Sequence, residues 1–185
     1  ISACLVGSEM CIRDRYQYHL LKYYIEHYRM QKYKPNAGYV QFLFNDMCPQ
    51  TFYGIYDYWG LPKKGLQAVL ESNMPVGIFL KFKDKLDAIY AVNDYSCALG
   101  ICRVGYSITD ETGKVVAEDA KDIDIKEDSL TKLWEFDGTI HSGSVYNVAL
   151  WIEQDGKLLA QNGYHDVFYI CLLYTSDAAD DRISV

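Results

Sequence analysis

The chain has little of what marks the commonest special classes of protein. Proline is scarce, with four residues in 185. Pro35 stops one helical pattern, Pro62 opens another and Pro75 stands where the periodicity of the chain changes. No apolar run approaches the ~20 residues that a membrane span requires. Residues 1–15 carry Glu9, Arg13, Asp14 and Arg15 between short apolar stretches, which is not a signal-peptide pattern. Basic residues are in deficit, 18 Lys and Arg against 25 Asp and Glu for a formal charge of −7. That balance speaks against nucleic acid as a partner, because nucleic-acid binding needs basic patches. There is no P-loop, no G-x-G-x-x-G and no G-x-S-x-G, so no nucleotide or other cofactor is expected. His19 and His27 lie eight residues apart on one helix, while His141 and His165 fall in loops. They make no metal set, and none is expected.

Cysteine is present but forms no framework. Of six, Cys4, Cys11 and Cys171 lie in two ends that do not read as native. Met10–Arg15 can be encoded by ATGTGTATAAGAGACAG plus one purine. The reverse complement, CTGTCTCTTATACACAT, read one base in, encodes Cys171-Leu172-Leu173-Tyr174-Thr175 and begins the codon of Ser176. Both ends can thus be written as one inverted DNA repeat, and they resemble translated transposase adapters from sequencing libraries. Residues 1–15, expected to be disordered or non-native, and 171–185 are therefore both expected to be adapter-derived artefacts and are excluded from fold reasoning. The flank before Tyr16 is neutral and the flank after Ile170 carries −2, so −5 of the total −7 stays with residues 16–170. Cys48, Cys97 and Cys102 remain, without disulfide or zinc spacing. Cys97 and Cys102 read as small buried hydrophobes near a strand.

What is present falls into two rhythms. Tyr16 to about Tyr33 reads as a helix, with Leu20, Leu21, Tyr24, Ile25 and Tyr28 at i, i+3, i+4 spacing. Lys22, Glu26 and Arg29 read as its solvated face. After the Lys34–Gly38 turn comes an apolar run, Tyr39–Phe44, that ends in Asn45-Asp46. Such a run reads as a strand buried on both faces. A loop over Met47–Leu61 follows, and then a helix from Pro62 to about Asn73 with Leu66, Val69 and Leu70 on one face. Helix, strand, loop, helix is the rhythm of a βα-repeat, and one strand cannot make a sheet alone.

From Val76 the period becomes two. Candidate strands are Val76–Phe82, Ala88–Val92, Cys102–Thr109, Val115–Ile125, Thr131–Phe136, Val145–Glu153 and Lys157–Ala160, with a last one near Asp166–Ile170. Glu111-Thr112-Gly113 and Asp155-Gly156 supply hairpin turns. Between Val145 and Ile152, Asn147, Ala149 and Trp151 face one way and Val148, Leu150 and Ile152 the other. Seven or eight strands at this spacing predict a mainly β chain, an immunoglobulin-like sandwich over 76–170 preceded by an incomplete barrel piece over 16–75.

Catalytic chemistry is hard to place. A retaining sugar hydrolase needs a nucleophilic carboxylate and a second carboxyl as acid/base. Glu26 and Glu71 fall on helices, whereas Glu111, Glu118, Glu127, Glu135 and Glu153 fall on sandwich strands or turns. None stands at the end of a buried strand beside a second carboxylate, so no catalytic residue is assigned. Asp46 and Asp57 are better placed, on the loop after the apolar run, though a short acidic side chain there can equally hold the backbone in a turn. Tyr53, Tyr56, Tyr58 and Trp59 could stack on sugar rings or pack against protein.

These residues carry a resemblance. Gly38-Tyr-Val-Gln-Phe-Leu-Phe-Asn-Asp46, then Pro49, then Asp57-Tyr58-x-Gly60-x-x-Lys63, resembles the last barrel strand and following loop of glycoside hydrolase family 2, in particular its β-mannosidase-like members. Their pattern is close to G-x-x-x-W-Q-L-N-D-x-W-P and continues to D-Y-x-G-x-x-K. Downstream, Ile89-Tyr90-Ala91-Val92-Asn93-Asp94 resembles the V-x-N-D strand end of the domain after the barrel, and Lys157–Asn162 resembles a late strand of that domain. The resemblance implies a retaining exo-β-glycosidase whose partner is a terminal β-linked sugar; from the apolar runs alone, no membrane partner is expected. The chain would supply the last helix, strand and helix of a (β/α)8 barrel plus the sandwich. In that family the catalytic glutamates come from barrel strands four and seven, which would precede Tyr16, so the missing part of its own barrel is a partner too. Asn45, Asp46, Phe42 and Tyr53 carry over as substrate-binding candidates. Phe42, Cys48 and Tyr53 replace tryptophans of the mannosidase pattern, which leaves other sugars open. The alternative of another class is a non-catalytic carbohydrate-binding or adhesion sandwich.

Overall fold

The computed structural model describes residues 2–49, 53–140, 146–165 and 167. The chain divides into two compact units, Ile1–Met74 and Pro75–Val185.

The first unit has two helices, α1 (Ser2–Arg29) and α2 (Lys64–Ser72). α1 begins earlier and ends earlier than the periodicity suggested. Its end tightens through Gln31 N–H to Tyr28 O and Lys32 N–H to Arg29 O, and Tyr33 then takes a positive φ of 63°. A left-handed residue cannot continue the helix. The expected solvated stripe is also corrected. Lys22 and Glu26 are buried and ion-paired to each other at 2.9 Å, one helical turn apart, so each supplies the countercharge that burial demands. α2 buries Gly65, Ala68 and Ser72 rather than the Leu66, Val69 and Leu70 side. Small residues let a neighbouring chain come close: a Cβ on Gly65 would lie 2.8 Å from the Gln17 side chain of α1. Leu70 is left exposed.

Between the helices, Tyr39–Phe44 keeps the alternation of a strand but has no ladder partner among the described residues. It is not the doubly buried strand that its composition suggested. Val40 and Phe42 are 90% and 91% exposed and Phe44 is exposed with them, while Tyr39, Gln41 and Leu43 are half-buried. An apolar run becomes a buried strand only when neighbours pair with it and cover it.

The second unit is built from seven described strands: β1 (Val76–Phe82), β2 (Leu86–Asn93), β3 (Gly100–Asp110), β4 (Val115–Ile125), β5 (Ser129–Glu135), β6 (Tyr146–Gln154) and β7 (Lys157–Tyr164). They form two antiparallel sheets, β1-β2-β5 and β4-β3-β6-β7, which makes the chain mainly β, as expected. The period-two pattern explains the burial. Cys102, Val104, Tyr106 and Ile108 on β3 and Val148, Leu150 and Ile152 on β6 face the core with Ile78, Leu80, Ile89 and Ala91. β4 stays hydrogen-bonded to β3 along ten residue pairs from Gly100↔Ile125 to Thr109↔Val115 and does not cross to β5. The expected strand at Asp166–Ile170 lies outside the described residues apart from Val167. Cys102 is buried as expected, but Cys97 is exposed, because it sits in the loop after β2 and not on a strand.

Side chains tie the sheets together along both sides of the sandwich. On one side, Leu80 N–H donates to Tyr164 Oη at 3.0 Å, and Asn162 Nδ2 donates to Ile78 O at 3.0 Å. The outer edge of β1 is thereby occupied, which protects it from pairing with another chain. On the other side, Trp134 Nε1 of β5 donates to Asp119 of β4 at 2.8 Å, and Lys121 lies over the Trp134 ring while its ammonium donates to Leu133 O. Asn93 closes one end. Its amide donates to Cys97 O and Lys126 O at 3.0 and 2.9 Å and its oxygen accepts Tyr95 N–H, so one buried side chain joins two loops.

Candidate functional site

The Asn45-Asp46 pair sits where the apolar run turns into a loop. Tyr56 returns beside it: Asp46 N–H donates to Tyr56 O at 3.0 Å, and Ile55 and Tyr56 N–H both donate to Phe44 O. This brings Gly54 against Asp46. Gly54 N–H donates to Asp46 Oδ1 at 3.0 Å, and the Lys63 ammonium pairs with Oδ2. Asp46 is 1% exposed, and its side chain is fully enclosed. A Cβ on Gly54 would lie 2.6 Å from Asp46 Oδ1 and 2.7 Å from the Asp46 nitrogen, so only glycine permits the contact. Gln17 of α1 adds a third hold, donating to Gly54 O at 3.0 Å. Lys63 N–H donates to Ile55 O, which anchors the start of α2 to the same knot.

Asp57 shapes the next turn. Its Oδ1 accepts the N–H groups of Trp59 and Leu61 at 2.9 and 2.8 Å, and Gly60 between them has φ 80°. This is an Asx-type turn with glycine in the left-handed position. Asp46 and Asp57 are thus both engaged with the backbone of their own loops.

The four candidates separate by exposure. Asn45, Phe42 and Tyr53 are exposed, Phe42 at 91% and Tyr53 at 74%. Asn45 Nδ2 lies 3.5 Å from Asp46 O, a long contact that leaves most of its hydrogen-bonding capacity available. Asp46 is the enclosed member. What the knot does chemically is to fix backbone: it spends the charge of Asp46 on Lys63 and Gly54 and turns Asn45 outward. Sequence reasoning singled out neither Gly54 nor Lys63 as an anchor, although Lys63 ends the D-Y-x-G-x-x-K match. Their role depends on a contact across eight and seventeen residues, which no local pattern reports. Among the described residues no group of His, Cys, Asp and Glu could hold a metal ion, and no helix is long and apolar enough to cross a membrane.

The surrounding fold matches solved enzymes. The crystal structure of β-D-mannosidase from Dictyoglomus thermophilum matches with a TM-score of 0.65 at 25% identity, over 79% of this chain and 18% of that one. The exo-chitosanase of Amycolatopsis orientalis matches with a TM-score of 0.68 at 15% identity, over 80% of this chain and 18% of that one, which is a likeness of fold. Both are glycosidases. The chain spans about a fifth of the length of each of these two enzymes. No family model and no curated protein sequence matches it.

Proposed function

We propose that this chain is part of a family-2 glycoside hydrolase, β-mannosidase-like, and that the whole enzyme cleaves a terminal β-linked sugar by a retaining double displacement. The match to the Dictyoglomus β-mannosidase over four-fifths of the chain carries the reading. The exposed apolar row Val40, Phe42 and Phe44 supports it: in a closed barrel such a run would be flanked by strands, and among the described residues no ladder forms along it. In this reading residues 16–75 are the last helix, strand and helix of a (β/α)8 barrel, and 76–170 the sandwich after it. Asn45 is the sugar-facing polar group, with Phe42 and Tyr53 as the apolar lining, and Asp46 holds the loop. The nucleophile and the acid/base belong to the missing part, so the chain alone has no turnover. Residues 1–15 and 171–185 are adapter-derived in the same reading.

The coding sequence upstream of Tyr16 tests the enzyme: it should contain one strand ending in Asn-Glu and another ending in Glu, and a chain without both would overturn the proposal. Assay of the present chain on aryl β-glycosides tests the second part, where turnover above background would refute it. Resequencing the source DNA tests the flanks. Native, uninterrupted codons through 10–15 and 171–176 would remove that reading.

A further inference from the structure

The outward face of the β4-β3-β6-β7 sheet carries one large aromatic group on a floor of small residues. In the central row Ala120, Gly105, Trp151 and Gln161 stand side by side across the four strands. A Cβ on Gly105 would lie 2.2 Å from Cζ2 and 2.4 Å from Cε2 of Trp151, so the indole packs against the glycine on β3. The next row holds Glu118, Ser107, Ala149 and Gly163, and it puts no second large side chain beside the indole. Trp151 is partly exposed. Among the described residues its ring has no aromatic partner and its indole N–H no hydrogen bond, unlike Trp134, whose N–H is taken by Asp119. Trp151 therefore offers solvent an aromatic surface and a free donor together.

The rim narrows the class of ligand. Arg103, Asp122 and Glu153 stand in the row on the other side, with Gln161 beside the ring. Arg103 leans toward Asp122 at 3.6 Å. With Glu118 and Glu153 the rim is acidic overall, which disfavours phosphates, nucleic acids and uronates. A pyranose ring fits what is left, since it has a flat face of polarised C–H bonds for the negative face of an indole and hydroxyls for Gln161, Glu153 and the indole N–H.

We propose that Trp151 is the platform of a second, non-catalytic saccharide contact, which takes an uncharged or amine-bearing pyranose of the glycan on which the whole enzyme acts. It rests on the glycosidase reading above but uses none of that site's residues. The test is 19F NMR of the full chain carrying 5-fluorotryptophan, whose three resonances from Trp59, Trp134 and Trp151 are assigned with single Trp→Phe variants. Mannohexaose and the hexamer of glucosamine are titrated to about 10 mM, enough to fill a site with a millimolar Kd. An oligogalacturonate serves as the anionic control. The Trp151 resonance should move and saturate with at least one of the first two and stay still with the third. Gln161→Ala, on the exposed surface, should raise the apparent Kd several-fold while the melting temperature stays unchanged. A Trp151 resonance that does not move with either sugar, or that moves equally with the polyanion, overturns the proposal whatever Trp59 does. That failure leaves the upstream coding test of the glycosidase reading untouched.

Discussion

The carboxylate of Asp46 and the ammonium of Lys63 form an ion pair with the acid fully enclosed and the lysine nearly so. Seventeen residues separate them, and Gly54 N–H completes the hydrogen bonding of the acid. Removing one member of such a pair strands the other, at a cost of roughly 3–5 kcal/mol. Asp46→Ala should therefore lower the urea midpoint of the first unit markedly. Asp46→Ala combined with Lys63→Met should recover part of the loss, because no charge is then left uncompensated. Equal losses in the single and double variants would show that Lys63 finds water once Asp46 is gone.

Gly105 and Trp151 make a contact with no tolerance for an added carbon. Gly105→Ala should push the ring outward and destabilise the second unit by about 1 kcal/mol, the low end of the overpacking range because the ring can move toward solvent. Gly38→Ala is the control, since nothing lies within 4 Å of a Cβ there. Trp151 emission should shift in the first variant and stay fixed in the second.

The β3–β4 hairpin has a pH dependence whose sign is fixed by one acid. Asp110 accepts the Thr112 hydroxyl at 2.6 Å and the N–H groups of Thr112 and Lys114, and these bonds, the hydroxyl first, hold its carboxyl below the ordinary carboxylate range. A group depressed in the folded state stabilises above its unfolded pKa, about 3.9, and loses that contribution as pH falls through the lower folded value. Asp110→Asn should thus be less stable than the parent at neutral pH and converge with it in strong acid. Melting curves across that range check it, and a constant difference at all pH values would exclude Asp110 as the cause.

Phe42 offers a contrasting case. Almost wholly exposed, it should be replaceable by Ser within about 0.5 kcal/mol of unfolding free energy, as for surface sites in general. Its removal with Phe44 should reduce self-association in sedimentation, because the bare apolar row is a sticky surface. A large loss of stability would mean that the row is covered in solution.

Much of the sandwich was legible because one face of each strand is wet, and alternation survives in the sequence. β1 and β4 have the bounds read from the residues alone, and Val148, Leu150 and Ile152 share one face of β6 as the alternation indicated. The first unit was harder for two physical reasons. A continuous apolar run such as Tyr39–Phe44 signals burial only where strands flank it, and among the described residues no ladder forms along it. Lys22 and Glu26 look solvated in any helical projection, yet their mutual charge lets them be covered. At the candidate site, the position of Asn45-Asp46 at the end of the run was readable. The division of labour between them was not, since it depends on where Gly54 and Lys63 arrive in space.

The bonds from Asn162 and Tyr164 to the β1 backbone join groups 84 residues apart. Nearly the whole sandwich must therefore be synthesised before its first strand can be closed off. Until Tyr164 has left the ribosome, β1 waits with an open edge, and a nascent chain stalled short of that point is exposed to pairing with its neighbours. Contacts of such long sequence range also make folding slow. Any shortened version of this protein should be cut beyond Tyr164, never within β7.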